Sequence, residues 1–496
     1  MKGKLKILYV ASEIAPFAKT GGLADVASAL PKTLFDMGHD IRVVMPKYGR
    51  INERKFTLRE VIRLKDITIP MGGKDYIASV KSAFIPQTKV QVYFIDYKPY
   101  FDRAGYYTDP KTNKDYADNG ERFAFFSYGI IETLKLLHWE PHVIHCNDWQ
   151  TGLVPILLKT VYKDDPMLQK TKSLFSIHNL AFQGNFPPKL MDKIGVDSGL
   201  FKPGSEVEFY GKFSFLKSAI SYADVISTVS PTYGKEIQSN DLGFGMEGVL
   251  SERKNSLFGI LNGVDYDVWN PEVDEMIPHK YTSTSLSGKL ENKKILAERN
   301  DLEYNEDTPI IGIISRVTAQ KGFDLILDAL DKILSKNVQL VILGIGDEKY
   351  HKQLQKAEKK YKGKIHTNWL FDDEMAHLIE AGADMFLMPS QFEPCGLNQI
   401  YSLKYGTIPI VRSTGGLADT VKDYNSKSDT GTGFVFEKYD SKEMLNAVDR
   451  SLTLFKDKKA WTKLIKRAMK QNYSWKVSAE SYTKLYSKIS GLNRKR

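Results

Sequence analysis

Residues 5–12 read LKILYVAS and residues 41–45 read IRVVM, and between them lie a loop of small residues and a helical pattern over residues 23–37. Each apolar run has the composition of a parallel strand that is buried on both faces. Gly38 stands where the intervening helix would end. A strand, a helix and a second strand in this order predict a βαβ unit at the start of the chain.

Similar short apolar runs recur along the chain, mostly separated by helical segments. They occupy residues 90–95, 143–145, 174–177, 225–229, 310–314, 339–343, 385–388 and 408–411. This alternation predicts an α/β protein with doubly wound, Rossmann-like sheets. A polar stretch over residues 274–305, which could itself fold as helix, separates the earlier runs from the later ones, so two domains are favoured over one.

The domain boundaries follow from the same pattern. We expect an N-terminal domain over residues 1–258 and a C-terminal domain over residues 259–473. Residues 475–489 read WKVSAESYTKLYSKI, with aromatic and apolar side chains at helical spacing. This spacing predicts a closing amphipathic helix within residues 474–496.

The composition is that of an ordinary globular protein, with 496 residues, 42% hydrophobic and 26% charged. The length excludes a peptide hormone or a disulfide-knit module. Cys146 and Cys395 form neither a C-x-x-C nor a zinc pattern, which favours a reducing, cytoplasmic compartment. The sequence has no run of 18 or more uncharged apolar residues, which argues against a membrane span.

The net charge of +10 arises from 70 basic and 60 acidic residues that are interleaved along the chain. The sequence has no arginine-rich stripe and no recognised nucleic-acid signature, so a nucleic-acid partner is not expected. An anionic small molecule accounts better for the local basic residues.

The six residues TGGLAD occur twice, at residues 20–25 and 414–419. Each copy follows a strand-like run and opens a helical segment, where glycines allow close approach and N–H groups can meet an anion. Beside the first copy, Lys19 could add an ammonium group to such a site, or it could be a surface lysine beside a tight turn. Neither copy has Walker A or dinucleotide-binding spacing. Two such loops suggest two sheets facing one cleft.

Polar side chains also follow several strand-like runs, where open α/β sheets bind their ligands. Asp148 could bind a hydroxyl group, or it could cap the helix that begins near residue 149. His178 ends another run, and a purely structural histidine is the alternative there.

Arg316 and Lys321 follow the run at residues 310–314 and precede a helical segment. They could neutralise two phosphates without a metal, or they could be solvated charges at a helix start, where the helix dipole disfavours cations. Glu393 lies in a loop flanked by prolines, where it could bond sugar hydroxyls or face a developing positive charge, or could simply be exposed. The carboxylates and histidines lack metal-binding spacing, so no metal or other cofactor is expected.

Seven motifs in this order resemble those of the bacterial glycogen synthase and plant starch synthase family. They lie at residues 19–26, 145–151, 178–184, 261–265, 315–322, 392–399 and 413–421. The resemblance implies two Rossmann-like domains of the GT-B type facing a central cleft. It also implies that the first domain takes the glucan acceptor, that the second takes the nucleotide sugar, and that the C-terminal helix crosses back to the first domain.

The resemblance further implies retaining transfer of glucose from ADP-glucose to the non-reducing end of an α-1,4-glucan or maltooligosaccharide. Arg316 and Lys321 would then hold the diphosphate, and residues 414–416 would donate to it. His178 would contact the glucose, and Glu393 would stabilise it from beside the ring. The remaining substrate contacts would come from Lys19, Gly21, Gly22, Asp25, Asp148, Asn262, Cys395, Gly396, Leu397, Thr414, Gly415 and Gly416.

One position departs from the wider pattern of retaining GT-B enzymes, which often carry a second glutamate eight residues after the first. Here that position is Tyr401, and no catalytic role is expected for it. The enzymatic alternative is a GT-B hexosyltransferase that uses UDP-glucose or another acceptor. The alternative from another class is a glucan-binding scaffold without turnover, although binding glucan alone needs no cations for a diphosphate.

Overall fold

The computed structural model describes residues 3–370 and 372–492. Its described residues form two compact units, the first made of residues 3–229, 234–263 and 475–492, and the second of residues 230–233, 264–370 and 372–474. The sequence placed the boundaries at 258/259 and 473/474. In the structure the first unit continues to residue 263, because a short strand and the loop after it still pack with the first sheet.

The strands before residue 264 form one long sheet and two small ones. They are β1 (Lys6–Val10), β2 (Asp40–Pro46), β3 (Arg59–Glu60), β4 (Ile67–Met71), β5 (Lys74–Phe84), β6 (Gln91–Asp96), β7 (Thr108–Asp109), β8 (Lys114–Asp115), β9 (Val143–Asn147), β10 (Lys172–Ile177), β11 (Asn185–Phe186), β12 (Glu208–Phe209), β13 (Lys212–Ser214), β14 (Val225–Thr228) and β15 (Leu257–Gly259). The long sheet has the order β15-β14-β10-β9-β1-β2-β6-β5-β3, with β4 also paired to β5.

Strands β15 to β6 of this order are parallel, and β5 pairs antiparallel to β6. The chain runs outward from β1 to β6 and then returns to β9 on the other side of β1, so the sheet is doubly wound as predicted. Its topological switch point lies between β1 and β9, and ligands of such sheets bind beyond the carboxyl ends of the strands at that point.

The helices of the same part of the chain connect these strands. They are α1 (Gly22–Asp36), α2 (Lys98–Phe101), α3 (Asn119–Leu137), α4 (Leu153–Lys159), α5 (Leu190–Ile194), α6 (Phe215–Tyr222), α7 (Pro231–Glu236) and α8 (Glu247–Glu252). Helix α1 has the predicted βαβ placement between β1 and β2, and it buries Ala24, Ala27 and Leu30 on one face.

The second unit has a six-stranded parallel sheet in the order β18-β17-β16-β19-β20-β21. Its strands are β16 (Ile310–Ile314), β17 (Gln339–Leu343), β18 (Ile365–Asn368), β19 (Met385–Met388), β20 (Ile408–Arg412) and β21 (Phe434–Phe436). Its helices are α9 (Ser287–Arg299), α10 (Phe323–Leu334), α11 (Glu348–Lys360), α12 (Asp373–Gly382), α13 (Asn398–Tyr405), α14 (Gly415–Thr420), α15 (Ser441–Phe455) and α16 (Lys458–Met469).

Neighbouring residues of β16 face different cores, since Ile311 and Ile313 join one apolar cluster and Ile310 joins another. Helices therefore cover both faces of this sheet, as expected for apolar runs without alternation. Helix α9 accounts for part of the polar stretch at residues 274–305, which could not be assigned from the sequence.

The closing helix α17 (Trp475–Ser490) belongs to the first unit, as the predicted crossover requires. Its Tyr486 hydroxyl lies 2.7 Å from Nδ1 of His145 on β9. Its Tyr482 ring lies against the same imidazole, with the ring centroids 5.3 Å apart. Across the helices that the structure describes, none is long and apolar enough to span a membrane.

Candidate active site

Glu13 organises the loop that follows β1. This carboxylate is buried and accepts hydrogen bonds from the Thr20 hydroxyl (2.6 Å), the Thr20 amide and the Tyr107 hydroxyl (2.7 Å). Burial raises the pKa of Tyr107 well above its usual value, so its hydroxyl stays protonated. Neither Glu13 nor Tyr107 was predicted as a site residue, although a carboxylate interrupting an apolar run is a signal that the sequence contains.

Lys19 precedes the first TGGLAD sequence and Asp25 ends it, and the two form an exposed ion pair with 2.8 Å between Nζ and Oδ1. Helix α1 begins in this loop without a side-chain cap. A Cβ atom added at Gly21 or Gly22 would have no other atom within 4 Å. Space is therefore open where a side chain at either position would begin, and the fold does not require glycine at either position.

Asp148 and His178 come together beyond the ends of β9 and β10. Oδ1 of Asp148 accepts the amide N–H of His178 at 2.8 Å. The Asp148 side chain does not cap the short turn that follows it, so the helix-cap alternative is wrong. Burial raises the pKa of Asp148 to about 7, although the backbone hydrogen bonds that it accepts oppose this shift.

The hydrogen bonds around Asn147 fix the tautomer of His178. The Asn147 amide nitrogen donates to the carbonyl of Val10 at 2.8 Å, which identifies its Oδ1 as the acceptor. That oxygen accepts the Tyr9 hydroxyl at 3.0 Å and lies 2.8 Å from Nε2 of His178. Nε2 must therefore carry the proton, and Nδ1 keeps a lone pair. Burial lowers the pKa of His178 to about 4, so the imidazole is neutral at pH 7.

Asn262 lies in the loop after β15 and is 6% exposed. Among the described residues its Oδ1 has no hydrogen-bond partner. A buried acceptor of this kind is uncommon in folded proteins and calls for a ligand or water.

In the second unit Lys321 and Glu393 form a largely buried ion pair. Their Nζ and Oε2 atoms are 2.5 Å apart, and the two side chains are 17% and 8% exposed. The Ser390 hydroxyl donates to the same carboxylate oxygen at 3.1 Å. Because β16 and β19 are neighbours in the sheet, the loops that follow them meet and bring these two predicted residues together.

Arg316 is exposed after β16, and its guanidinium donates to Oε1 of Gln320 at 3.2 Å. The Gln320 carbonyl accepts the amide N–H of Gln391 at 2.8 Å. Gln320 therefore connects the Arg316 loop to the Glu393 loop, a contact that the sequence did not reveal.

The second TGGLAD loop crosses directly beneath the Glu393 loop. A Cβ atom at Gly415 would lie 1.9 Å from the Glu393 carbonyl oxygen, and one at Gly416 would lie 1.9 Å from the Cys395 carbonyl oxygen. The N–H of Gly416 donates to the Glu393 carbonyl, and the N–H of Thr414 donates to the Arg412 carbonyl. The amides of Thr414 and Gly416 thus have backbone acceptors in this structure, and the expectation that residues 414–416 donate to a diphosphate stays a prediction.

Residues 395–397 lead into α13, and Leu397, at the N-cap position before the helix, provides no side-chain cap. Cys395 is buried and not disulfide-bonded, and Gly396 adopts a φ of +70°. Uncapped amides at such a helix start attract anions. Tyr401 stacks on Trp269 with ring centroids 3.9 Å apart, so this residue packs against an aromatic ring at the position of the missing second glutamate.

The predicted residues thus fall into two groups, one in each unit. Lys19, Gly21, Gly22, Asp25, Asp148, His178 and Asn262 lie in the first unit, and Arg316, Lys321, Glu393 and the loops around them lie in the second. Within the described part of the chain, the side chains of His, Cys, Asp and Glu form no group of three or more that could bind a metal.

Comparison with known proteins decides the family. Residues 6–252 match the starch synthase catalytic domain family, and residues 294–471 match the glycosyl transferases group 1 family. A glycogen synthase of Koribacter versatilis is 44% identical over 484 residues, which cover 98% of each chain. One of Thermosipho africanus is 45% identical over 497 residues, covering 99% of this chain and 100% of that protein. The chain belongs to the glycogen synthase family.

Solved structures agree with this assignment of a glycogen synthase. The catalytic domain of starch synthase IV from Arabidopsis thaliana, bound to ADP and acarbose, gives a TM-score of 0.89 at 30% identity, covering 99% of this chain and all of that one. Sucrose-phosphate synthase from Thermosynechococcus elongatus has the same fold, with a TM-score of 0.61 at 16% identity over 98% of this chain. The GT-B fold and a glycogen synthase function are therefore confirmed.

Proposed function

We propose that this glycogen synthase transfers glucose from ADP-glucose to the non-reducing end of an α-1,4-glucan or maltooligosaccharide, with retention of configuration. The observation that carries the proposal is the buried Lys321–Glu393 ion pair beside Arg316, at the carboxyl ends of β16 and β19. The ADP in the related starch synthase IV structure supports an adenine nucleotide as the donor.

The difficult step is separation of an oxocarbenium-like glucose from the nucleotide diphosphate. Stabilisation must therefore grow as negative charge collects on the departing phosphate. Lys321 supplies a compact charge and Arg316 a planar set of donors, and both belong to rigid strand-end loops. Because these two cations can meet the diphosphate charge, we propose that the reaction needs no metal.

Glu393 is assigned a stabilising role beside the glucose ring. Its carboxylate is fixed by Lys321 and Ser390, which suits an electrostatic contact with a positive sugar better than attack on it. In the proposed same-face displacement, the departing phosphate helps to remove the proton of the acceptor hydroxyl. Isolation of a glucosyl ester on Glu393 would reject this assignment in favour of a covalent mechanism.

The first unit supplies neutral and acidic groups to the sugars. Nδ1 of the neutral His178 can accept a glucose hydroxyl, and the buried Oδ1 of Asn262 can accept another. Asp148 can bind a hydroxyl in its carboxylate form. Lys19 would contact the sugar nucleotide once released from Asp25.

Product analysis tests the proposal. The protein is incubated with a short maltooligosaccharide and either ADP-glucose or UDP-glucose, with and without EDTA, and the new linkage is assigned by NMR. We expect α-1,4 elongation with ADP-glucose that EDTA does not abolish. Faster elongation with UDP-glucose than with ADP-glucose would reject ADP-glucose as the donor. A β linkage in the product would reject retention of configuration, and no elongation with either donor would reject transferase activity. The cytoplasmic location expected from the cysteine pattern stays a prediction.

A further inference from the structure

Tyr210 occupies a position that the backbone makes unfavourable for it. The pairing of Phe209 with Lys212 leaves Tyr210 and Gly211 as the two-residue loop between β12 and β13. Both loop residues have positive φ, +47° and +77°. Such loops favour Asn-Gly or Asp-Gly, because bulky side chains rarely adopt left-handed backbone. Tyr210 is nevertheless 81% exposed, so burial of its ring gives the fold no compensating stabilisation.

Phe209 of the same hairpin and one aromatic residue from each of two other loops complete the group that we call the aromatic patch: Phe182, Phe209, Tyr210 and Phe244. The Phe209 and Tyr210 rings have centroids 4.7 Å apart. A Cβ atom on Gly245 would lie 2.9 Å from the Phe209 ring and 3.1 Å from the Tyr210 ring, so the loop that carries Phe244 runs against both. Phe244 also has a positive φ, +48°.

Phe182 is joined to the same surface through its neighbour. Nε2 of Gln183 donates to the Phe244 carbonyl at 3.0 Å, and the Phe182 side chain is 61% exposed. Three loops of the first unit that are linked by the Gln183–Phe244 hydrogen bond and by the packing of Gly245 thus carry these aromatic residues, and two of them, Tyr210 and Phe244, lie on strained backbone. Strain of this kind persists where it serves a function.

The patch is held rigidly. The Glu208 carboxylate accepts the amides of Gly204 and Gly211 at 2.8 and 2.6 Å. The amides of Phe215 and Leu216 donate to the carbonyls of Gly184 and Gln183 at 3.0 and 3.1 Å. These bonds fix the hairpin and the Phe182 loop, so little conformational entropy would be lost when a ligand binds.

We propose that the aromatic patch is a stacking surface for the α-1,4-glucan acceptor. The proposal rests on the proposed function and adds a site that lies beyond the reacting sugar. Each pyranose unit presents an apolar C–H face that matches a flat aromatic ring.

Continuity with the candidate active site supports glucan as the occupant. Phe182 lies four residues after His178, on the loop that starts at the Asp148–His178 contact. A glucan whose terminal sugar reacts near His178 would extend its following units along this loop.

The test uses Tyr210→Asn, Phe182→Ala and the double variant. Asparagine suits the left-handed position, so Tyr210→Asn should keep or raise the melting temperature while removing the ring. Phe84→Ala is the matched control, because Phe84 is also an exposed phenylalanine (58%) and lies on β5. β5 is five strand spacings, about 24 Å, from β10, the strand that leads into the Phe182 loop. We expect the double variant to raise KM for glycogen about three- to tenfold, with KM for ADP-glucose and the rate on maltotriose unchanged.

Retardation in native gels containing glycogen measures binding without turnover. The double variant should be retarded less than the wild type, and Phe84→Ala should behave as the wild type. The proposal would be overturned if the double variant were retarded as much as the wild type, or if Phe84→Ala lost as much retardation as the double variant. A double variant that differs from the wild type only in self-association on size-exclusion chromatography would also overturn it. If the variant loses retardation but the wild type transfers no glucose, the patch stands and the proposed transferase reaction fails.

Discussion

At the scale of single residues, the Lys321 ammonium is shared between the Glu393 carboxylate and, in the proposed reaction, a phosphate. We expect Glu393→Gln to bind ADP about fivefold more tightly, because removing the carboxylate frees a charge-assisted donor. The same change should lower kcat about 100-fold, since the glucose loses its stabilising charge. Calorimetry with ADP and initial rates with ADP-glucose measure the two effects, and Glu437→Gln, an exposed carboxylate of the same unit, is the control. Weaker ADP binding in Glu393→Gln would contradict this account.

Removal of Lys321 alone is not a clean test of catalysis, because it leaves Glu393 buried without its cation, at a cost of about 3 kcal/mol. We expect the double variant Lys321→Met/Glu393→Gln to regain most of the stability that Lys321→Met loses. Its kcat should stay at least about 100-fold below the wild-type value, because the diphosphate still lacks its donor. Denaturant unfolding and initial rates separate the two effects. Recovery of activity together with stability would show that Lys321 is structural.

Asp148 gives the protein a titration near neutral pH. Burial raises its folded pKa to about 7 from 3.8, so the stability that its protonated form contributes is lost as the pH rises from about 4 to about 7. Asp148→Asn should therefore melt higher than the wild type at pH 8 and gain less at pH 5. If the carboxylate binds a hydroxyl, kcat/KM for the acceptor rises between pH 6 and 8, and Asp148→Asn lacks this rise. His178, with a pKa of about 4, cannot produce it.

At the scale of elements, the two TGGLAD loops share a sequence but need their glycines for different reasons. Gly416→Ala should destabilise the protein by about 3 kcal/mol or more, because its Cβ would lie 1.9 Å from the Cys395 carbonyl oxygen. Gly22→Ala should change stability by less than about 0.5 kcal/mol, because its Cβ meets open space. It should still lower activity, because Gly22 is one of the predicted substrate contacts. Thermal melts and assays of both variants check this, and a strongly destabilised Gly22→Ala would contradict it.

The closing helix is attached through buried polar contacts as well as apolar ones. Tyr486→Phe removes the hydroxyl that lies 2.7 Å from Nδ1 of His145. It should lower the free energy of unfolding by about 1–3 kcal/mol, because the buried imidazole loses a partner. Ser481→Ala, on the solvent side of the same helix, should have little effect. Equal unfolding free energies for Tyr486→Phe and the wild type would show that this contact adds nothing.

Prediction of strands succeeded where the sequence is a continuous apolar run. Uninterrupted apolar runs such as residues 310–314 became central parallel strands with the same bounds, because a strand covered on both faces has no polar alternation. The antiparallel extension β3–β5 and the hairpin β12–β13 were missed, since their half-exposed strands have weaker patterns.

At the scale of the whole molecule, fold and family were predictable because motif order and strand alternation point to the same architecture. The site was only partly predictable. Asp148 and His178 directly follow strands, and Lys321 and Glu393 lie in loops that follow strands, and this position is the signal that predicts them as site residues. The roles of Glu13, Asn147 and Gln320 arise from contacts between loops that are distant in sequence, and no local pattern reveals such contacts.

The first unit is built from both ends of the chain, since α17 joins β1 and β9 only after residues 264–474 have been passed. On the ribosome, the second unit therefore emerges whole and can fold while the first still lacks its last helix. Until residues 475–490 have been synthesised, the His145 imidazole has no aromatic cover from Tyr482 and Tyr486. Completion of the unit that is synthesised first therefore waits for synthesis of the second, and a chain that stops before residue 475 would have a complete second unit and a first unit without its closing helix.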